Sequence, residues 1–120
     1  DPVLKQFLNE LPYSKYILTN APIEHAERIL AKLDCTDCFA GIFDIRFNNL
    51  KGKPHHEAYQ HVADTLQVSI QDILFIDDIP RYVQGFTNLG GKGLLIDQLN
   101  KHQQYPFAKI TQLQELVHYL

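Results

Sequence analysis

Val3, Leu4, Phe7, Leu8 and Leu11 recur at i, i+1, i+4, i+5 and i+8, which predicts a helix over 2–11 with one apolar face. Asp1-Pro2 opens it, Asp1 as the N-cap and Pro2 at the first helical position. After the turn Pro12-Tyr13-Ser14, the run Tyr16-Ile17-Leu18 predicts a strand over 15–19. Ile23, Ala26, Leu30 and Leu33 form one stripe and predict a helix over 23–33. Gly41-Ile42-Phe43-Asp44-Ile45 reads as a buried strand. A polar loop with Asn48-Asn49, Lys51-Gly52 and Lys53-Pro54 follows it. Ala58, Tyr59, Val62, Ala63 and Leu66 mark the next amphipathic helix. Ile73–Ile76 is an unbroken apolar run, as a strand covered on both faces requires. Pro80 starts a helix with Val83 and Phe86 inward, Gly90-Gly91-Lys92-Gly93 breaks it, and Leu94-Leu95-Ile96 forms a strand. The end of the chain predicts a short strand at 107–110 and a final helix. Thr111 and Gln114 would form a capping box there, with Leu113, Leu116, Val117 and Leu120 buried.

Strands alternating with helices predict an α/β fold, a doubly wound parallel sheet with right-handed crossovers. The length of 120 residues suits a single domain over 1–120, and the 45% hydrophobic share supplies a core. A net charge of −3 does not suggest a nucleic acid polymer or an acidic membrane surface as partner. Apolar runs fall far short of the roughly 20 residues that span a bilayer, so a cytoplasmic protein without membrane partners is expected. The sequence contains no methionine, and it starts directly on a helix cap. The expectation is a fragment cut just upstream of an element.

In a parallel sheet the carboxyl ends of the strands line one edge, where ligands bind. Thr19-Asn20 follows one such strand and could offer a hydroxyl and backbone N–H groups to phosphate oxygens. It reads equally as a turn in which Thr19 is the cap. Lys53-Pro54 would open a helix and carry a compact positive charge to its N-terminus; a solvated loop lysine is the alternative. Asp77-Asp78 places two adjacent carboxylates after a strand, where mutual repulsion calls for a cation such as Mg²⁺. The competing reading is a helix N-cap before Pro80, and the metal reading is preferred. Cys35 and Cys38 have metal-like spacing but lack a second pair, so they are expected to be structural. The His55-His56 pair is expected to be solvated. The glycine-rich stretch at 90–93 leads into a strand and not from strand to helix, which puts it on the wrong edge of the sheet for phosphate. Asp44 is expected at the site's margin, and no Asp or Cys stands out as a nucleophile.

The ordered set Thr19-Asn20, Lys53-Pro54 and Ile76-Asp77-Asp78 resembles motifs II, III and IV of the haloacid dehalogenase superfamily. Asp1-Pro2-Val3-Leu4, Leu11-Pro12, Leu18-Thr19-Asn20-Ala21, His25-Ala26, Arg28-Ile29-Leu30, Asp37-Cys38-Phe39 and Phe75-Ile76-Asp77-Asp78 are similar to its pyrimidine 5′-nucleotidase branch. The resemblance implies a Rossmann-like core and hydrolysis of a small phosphate monoester, such as a nucleoside 5′-monophosphate, through an aspartyl-phosphate. Thr19 and Asn20 would hold the transferred group and Lys53 would neutralise charge. Asp77 and Asp78 would position Mg²⁺, with Asp78 preferred as the direct ligand. Ile79 and Tyr82 stand where that branch usually has Ser and Asn. Its Asp-x-Asp motif, on the first and central strand, and its cap do not occur here, so the nucleophile is expected upstream of this chain.

Without that central strand, the strands ending at Thr19 and Asp77 would each leave about five backbone groups unpaired, at about 1–3 kcal/mol apiece when buried. These two strands are therefore not expected to pair normally, and the incomplete sheet invites self-association. A non-catalytic or truncated domain that binds phosphate or a protein partner is the alternative function. A two-component receiver would use similar residues, but there the acidic pair precedes Thr and Lys, which is the reverse of the order here.

Overall fold

A computed structural model describes residues 2–120, so the expected cap at Asp1 lies outside the described residues. The chain divides into two compact units, the first ending at Gly52 and the second starting at Lys53. The first contains α1 (Pro2–Glu10), β1 (Tyr16–Leu18), α2 (Ile23–Lys32), a 3₁₀ turn at Thr36–Cys38 and β2 (Gly41–Phe43). β1 and β2 run parallel, with Tyr16 opposite Gly41 and Leu18 opposite Phe43. Leu8, Ala26, Leu30, Cys35, Cys38 and Phe43 form its core. The α1 stripe is shorter than its periodicity suggests, because Val3 is exposed.

Asp44 leaves β2 and turns inward. Its Oδ2 accepts the N–H of Ile23 at 2.9 Å and its Oδ1 accepts that of Phe47 at 3.0 Å. Pro22 precedes α2 and provides no side-chain cap. The buried carboxylate of Asp44 therefore serves the positive end of α2 from another part of the chain.

The second unit contains α3 (His56–Leu66), a 3₁₀ turn at Ile70–Asp72, β3 (Leu74–Asp77), α4 (Pro80–Thr87), β4 (Lys92–Ile96), β5 (Lys109–Ile110) and a 3₁₀ helix at Leu113–Tyr119. Its sheet has the order β3-β4-β5, all parallel. Among the described residues, β1 and β3 each have a strand partner along one edge alone, as expected for both. Ala58, Tyr59, Ala63, Val83, Phe86, Leu94, Leu95 and Ile110 make the core. α4 lies close on β4 because Gly93 has no side chain: a Cβ there would stand 2.6 Å from Thr87 Cγ2. Gly90, at φ 93°, turns the chain out of α4 in a conformation that other residues resist.

Two expectations need correction. Lys53-Pro54 does not open α3. The cap is His55, whose Nδ1 accepts the Glu57 N–H at 3.3 Å, so the helix begins beyond it. The final helix is a 3₁₀ helix without the capping box: Thr111 Oγ1 donates to Glu115 Oε1 at 2.8 Å. In a three-residue repeat, Leu113 and Leu116 share a face, while Val117 and Leu120 stay 52% and 49% exposed.

Asp97 follows β4 and is buried. Its oxygens accept the N–H groups of Lys101 and His102 at 2.9 and 2.8 Å, with Lys109 Nζ at 3.4 Å. Burial pushes its pKa up, but the His102 and Lys101 N–H groups and the Lys109 ammonium outweigh burial and hold it below the usual carboxylate value. A depressed folded value means that the unfolded chain binds the proton first. Asp97 therefore adds stability at neutral pH that is lost as pH falls below about 4. Asp97→Asn is expected to lower the melting temperature at pH 7 and to flatten the decline of stability on acidification. An unchanged acid slope would contradict this role.

Candidate active site

The sequence of β3 explains how the second unit builds its polar cluster. Leu74, Phe75 and Ile76 anchor the strand in the sheet, and the strand ends on Asp77, which pairs in register with Leu95. Asp78 follows at the exposed tip, and Pro80 then starts α4. Lys92 pairs with Leu74 at the opposite end of β3, so the glycine-rich stretch does lie at the wrong end for a shared site.

Lys53 Nζ donates to Asp77 Oδ2 at 2.6 Å, and each side chain is 9% exposed. Asp77 Oδ1 accepts the Ile79 N–H at 3.1 Å. That bond closes the turn into α4 without reaching the helix's own first N–H groups, since Ile79 is the N-cap. Both Asp77 oxygens thus have partners. Lys53 Nζ also lies 5.5 Å from the centre of the Phe75 ring and 5.2 Å from that of Tyr82. Tyr59 Oη donates to the Tyr82 carbonyl at 2.6 Å and ties α3 to α4.

Asp78 differs from Asp77 electrostatically. Partial loss of hydration raises its pKa most, followed by a hydrogen bond with Asp77 and the negative charge of Asp77, while Lys53 pulls weakly the other way. Lost hydration, and after it the neighbouring Asp77, disfavour the ionised form of Asp78, and a cation at the strand tip would offset both. Among the described residues, no three His, Cys, Asp or Glu side chains gather as a complete metal cage. Mg²⁺ does not need one, because it is commonly held by one or two carboxylates, water and substrate phosphate. The hard oxygens at this tip suit that ion, and Asp78 is the donor with fewer commitments.

In the first unit, Thr19 directly follows β1. Its N–H donates to the Phe43 carbonyl at 3.0 Å and its Oγ1 accepts the Ala21 N–H at 3.0 Å. The turn-capping role is realised, and a hydroxyl in that role still carries a proton to donate. Asn20 packs on Gly52, where a Cβ would lie 2.5 Å from Asn20 Oδ1. Lys53, Asp77 and Asp78 come together within the second unit, whereas Thr19 and Asn20 belong to the first. Cys35 and Cys38 are buried free thiols, and burial pushes Cys38 up, which suits packing better than reactivity. His55 and His56 stack at 4.9 Å between ring centres.

No periodicity in the sequence marks the aromatic surroundings of Lys53. Tyr82 drew notice there only as a departure from a motif. Its place in the first turn after an acidic strand end was the available signal.

A family model described as haloacid dehalogenase-like hydrolase matches residues 2–90. Among solved structures, a dehalogenase with an intermediate complex is 20% identical at a TM-score of 0.86, covering 100% of this chain and 56% of its own. A HAD phosphatase from Thermococcus onnurineus is 22% identical at 0.81, with coverages of 98% and 54%. Magnesium-bound YfnB of Bacillus subtilis is 23% identical at 0.79, with coverages of 99% and 51%. At these identities the likeness establishes an α/β, Rossmann-like fold. The chain spans about half the length of these structures.

Proposed function

The chain belongs to the haloacid dehalogenase-like hydrolase family, and from that premise we propose that the whole protein is a Mg²⁺-dependent phosphohydrolase. Its substrate is a small phosphate monoester, with a nucleoside 5′-monophosphate put forward on the resemblance to the pyrimidine 5′-nucleotidase branch. The reaction passes through an aspartyl-phosphate on an aspartate outside residues 1–120. The observation that carries this reading is the arrangement at the end of β3: a buried Lys53–Asp77 ion pair directly followed by the second carboxylate, Asp78, at the strand tip.

Phosphoryl transfer needs positioning and charge neutralisation more than covalent participation. Lys53, paired with Asp77, offers its ammonium to anionic oxygens. Thr19 and Asn20 are assigned to the transferred group on the resemblance of their motif alone. Asp78 would hold Mg²⁺, with Asp77 beside it. Bound there, the ion would supply positive charge to the phosphate oxygens. A cytoplasmic location and self-association through an unpaired strand edge belong to the same proposal.

A second reading is halide displacement, favoured by the dehalogenases among the structural neighbours. A neutral carbon–halogen bond gives a second carboxylate at the strand tip no evident task, so phosphate is preferred. The deciding assay offers the whole protein nucleoside monophosphates, other phosphate monoesters and 2-haloacids, with and without Mg²⁺. Mg²⁺-dependent phosphate release that disappears in Asp78→Ala supports the proposal. Halide release, or phosphate release indifferent to Mg²⁺ and to Asp78, overturns it.

Asp78 also permits a measurement independent of turnover. A carboxylate with a raised folded pKa detracts from stability once ionised, because the folded chain holds its proton more tightly than the unfolded one. Asp78→Asn is therefore expected to be modestly more stable than the wild type at neutral pH without Mg²⁺. It should also lose the rise in melting temperature that Mg²⁺ gives the wild type. Equal Mg²⁺ stabilisation of both proteins would contradict the metal assignment.

A further inference from the structure

The ammonium of Lys53 needs more than one carboxylate to stay where it is. Lysine is a point charge on a flexible four-carbon stem, and a single ion pair permits several stem conformations. Two aromatic rings lie within the roughly 6 Å at which a ring face attracts a cation: Phe75 at 5.5 Å and Tyr82 at 5.2 Å. Phe75 has a separate reason for its place, since it packs on Tyr59 and Phe86 at 5.4 and 5.3 Å in the core. Tyr82 is half-buried in the first turn of α4, and its backbone is fixed at both ends. Its N–H donates to the Ile79 carbonyl at 3.0 Å, and its carbonyl accepts from the buried Tyr59 hydroxyl at 2.6 Å. The Arg81 guanidinium lies 4.9 Å from the same ring, with Nη2 3.4 Å from Tyr82 Oη, so the ring itself is braced.

We propose that Tyr82 is a positioning residue for Lys53, its ring drawing the ammonium onto the Asp77 carboxylate and restricting the lysine stem to one conformation. The consequence for chemistry rests on the reading of Lys53 as the charge-neutralising group; the placement itself does not. An aromatic face is what the role requires. An aliphatic side chain could fill the volume but would not attract the ammonium, while a phenylalanine ring would serve as well as tyrosine.

The test uses the full chain with ¹³C-labelled lysine ε-carbons, the Lys53 signal being assigned by its disappearance in Lys53→Arg. Ring currents are expected to shift the Lys53 ε-methylene protons upfield of the other lysines. Tyr82→Phe should retain that shift, and Tyr82→Leu should lose the Tyr82 share of it, roughly half with Phe75 still at 5.5 Å, while the Leu94 and Leu95 methyl signals stay in place. A wild-type Lys53 signal at the ordinary lysine position overturns the proposal without any variant. So does an unchanged signal in Tyr82→Leu. In the whole protein, kcat should fall about tenfold in Tyr82→Leu with KM little altered, and Phe should restore it. If no phosphohydrolysis is found, the functional reading falls, and the lysine spectrum still decides the role of Tyr82.

Discussion

Replacing Lys53 with Met is expected to destabilise the protein by about 3–5 kcal/mol, because it leaves the Asp77 carboxylate buried without its counter-charge. Met has nearly the length of Lys and an apolar body, so lost volume contributes little. The Ile79 N–H stays at 3.1 Å on one oxygen and the neighbouring Asp78 carboxyl brings no positive charge, against the 2.6 Å ammonium contact removed from the other oxygen. The double variant Lys53→Met with Asp77→Leu should recover most of the lost stability, since removing both charges from a buried pair is often close to neutral. Activity should separate from stability here. In the whole protein, both variants are expected to lose about 10²–10³-fold or more in kcat, as when a fixed electrostatic group is removed. Urea unfolding of the three proteins, followed by phosphate-release assays, provides the check. A Lys53→Met protein as stable as the wild type would mean that the pair is not desolvated as described.

Gly85→Ala carries the second large effect, with a sign opposite to the ordinary rule. Within a helix, Ala is normally favoured over Gly by about 0.5–1 kcal/mol. At this position in α4, a Cβ would stand 2.9 Å from Pro54 Cβ, 3.2 Å from the Pro54 carbonyl oxygen and 3.2 Å from Tyr59 Oη. None of these is the loose end of a flexible chain. Pro54 is a ring joined to Lys53, and the Tyr59 hydroxyl is engaged with the Tyr82 carbonyl. A net loss of about 1–3 kcal/mol is expected from the overpacking. Any relief must come from moving the 53–54 segment, and Lys53 would move with it. A displaced ammonium should reduce kcat in the whole protein by at least about tenfold, since small errors in placement are costly. A rise in melting temperature in Gly85→Ala would show that Pro54 does not rest on α4 in this way.

Much of the fold follows from local patterns. The three-to-four-residue stripe of Ala26 and Leu30 and the unbroken run before Asp77 are each sufficient to locate an element, because burial on one face repeats with the element's own period. Adjacent chemistry was legible for the same reason: Asp77 and Asp78 repel wherever the chain places them. Local reading failed where several nearby partners compete or where a partner lies far along the chain. The Thr111–Gln114 pattern looked like a helix cap, yet Thr111 bonds the residue after Gln114, Glu115. The bond from the Ile23 N–H to Asp44, 21 positions away, had no local signal at all.

By itself, the order of amino acids determined which segments become helices and strands, that the strands are parallel, and which polar groups stand at strand ends. Those properties depend on neighbours within a few positions. Only the tertiary structure decided that Lys53 reaches across 24 positions to Asp77 and that Tyr82 and Gly85 surround the lysine segment. The physical reason is that a buried charge chooses its partners by proximity in space after the backbone has packed, and no periodicity along the chain records that choice.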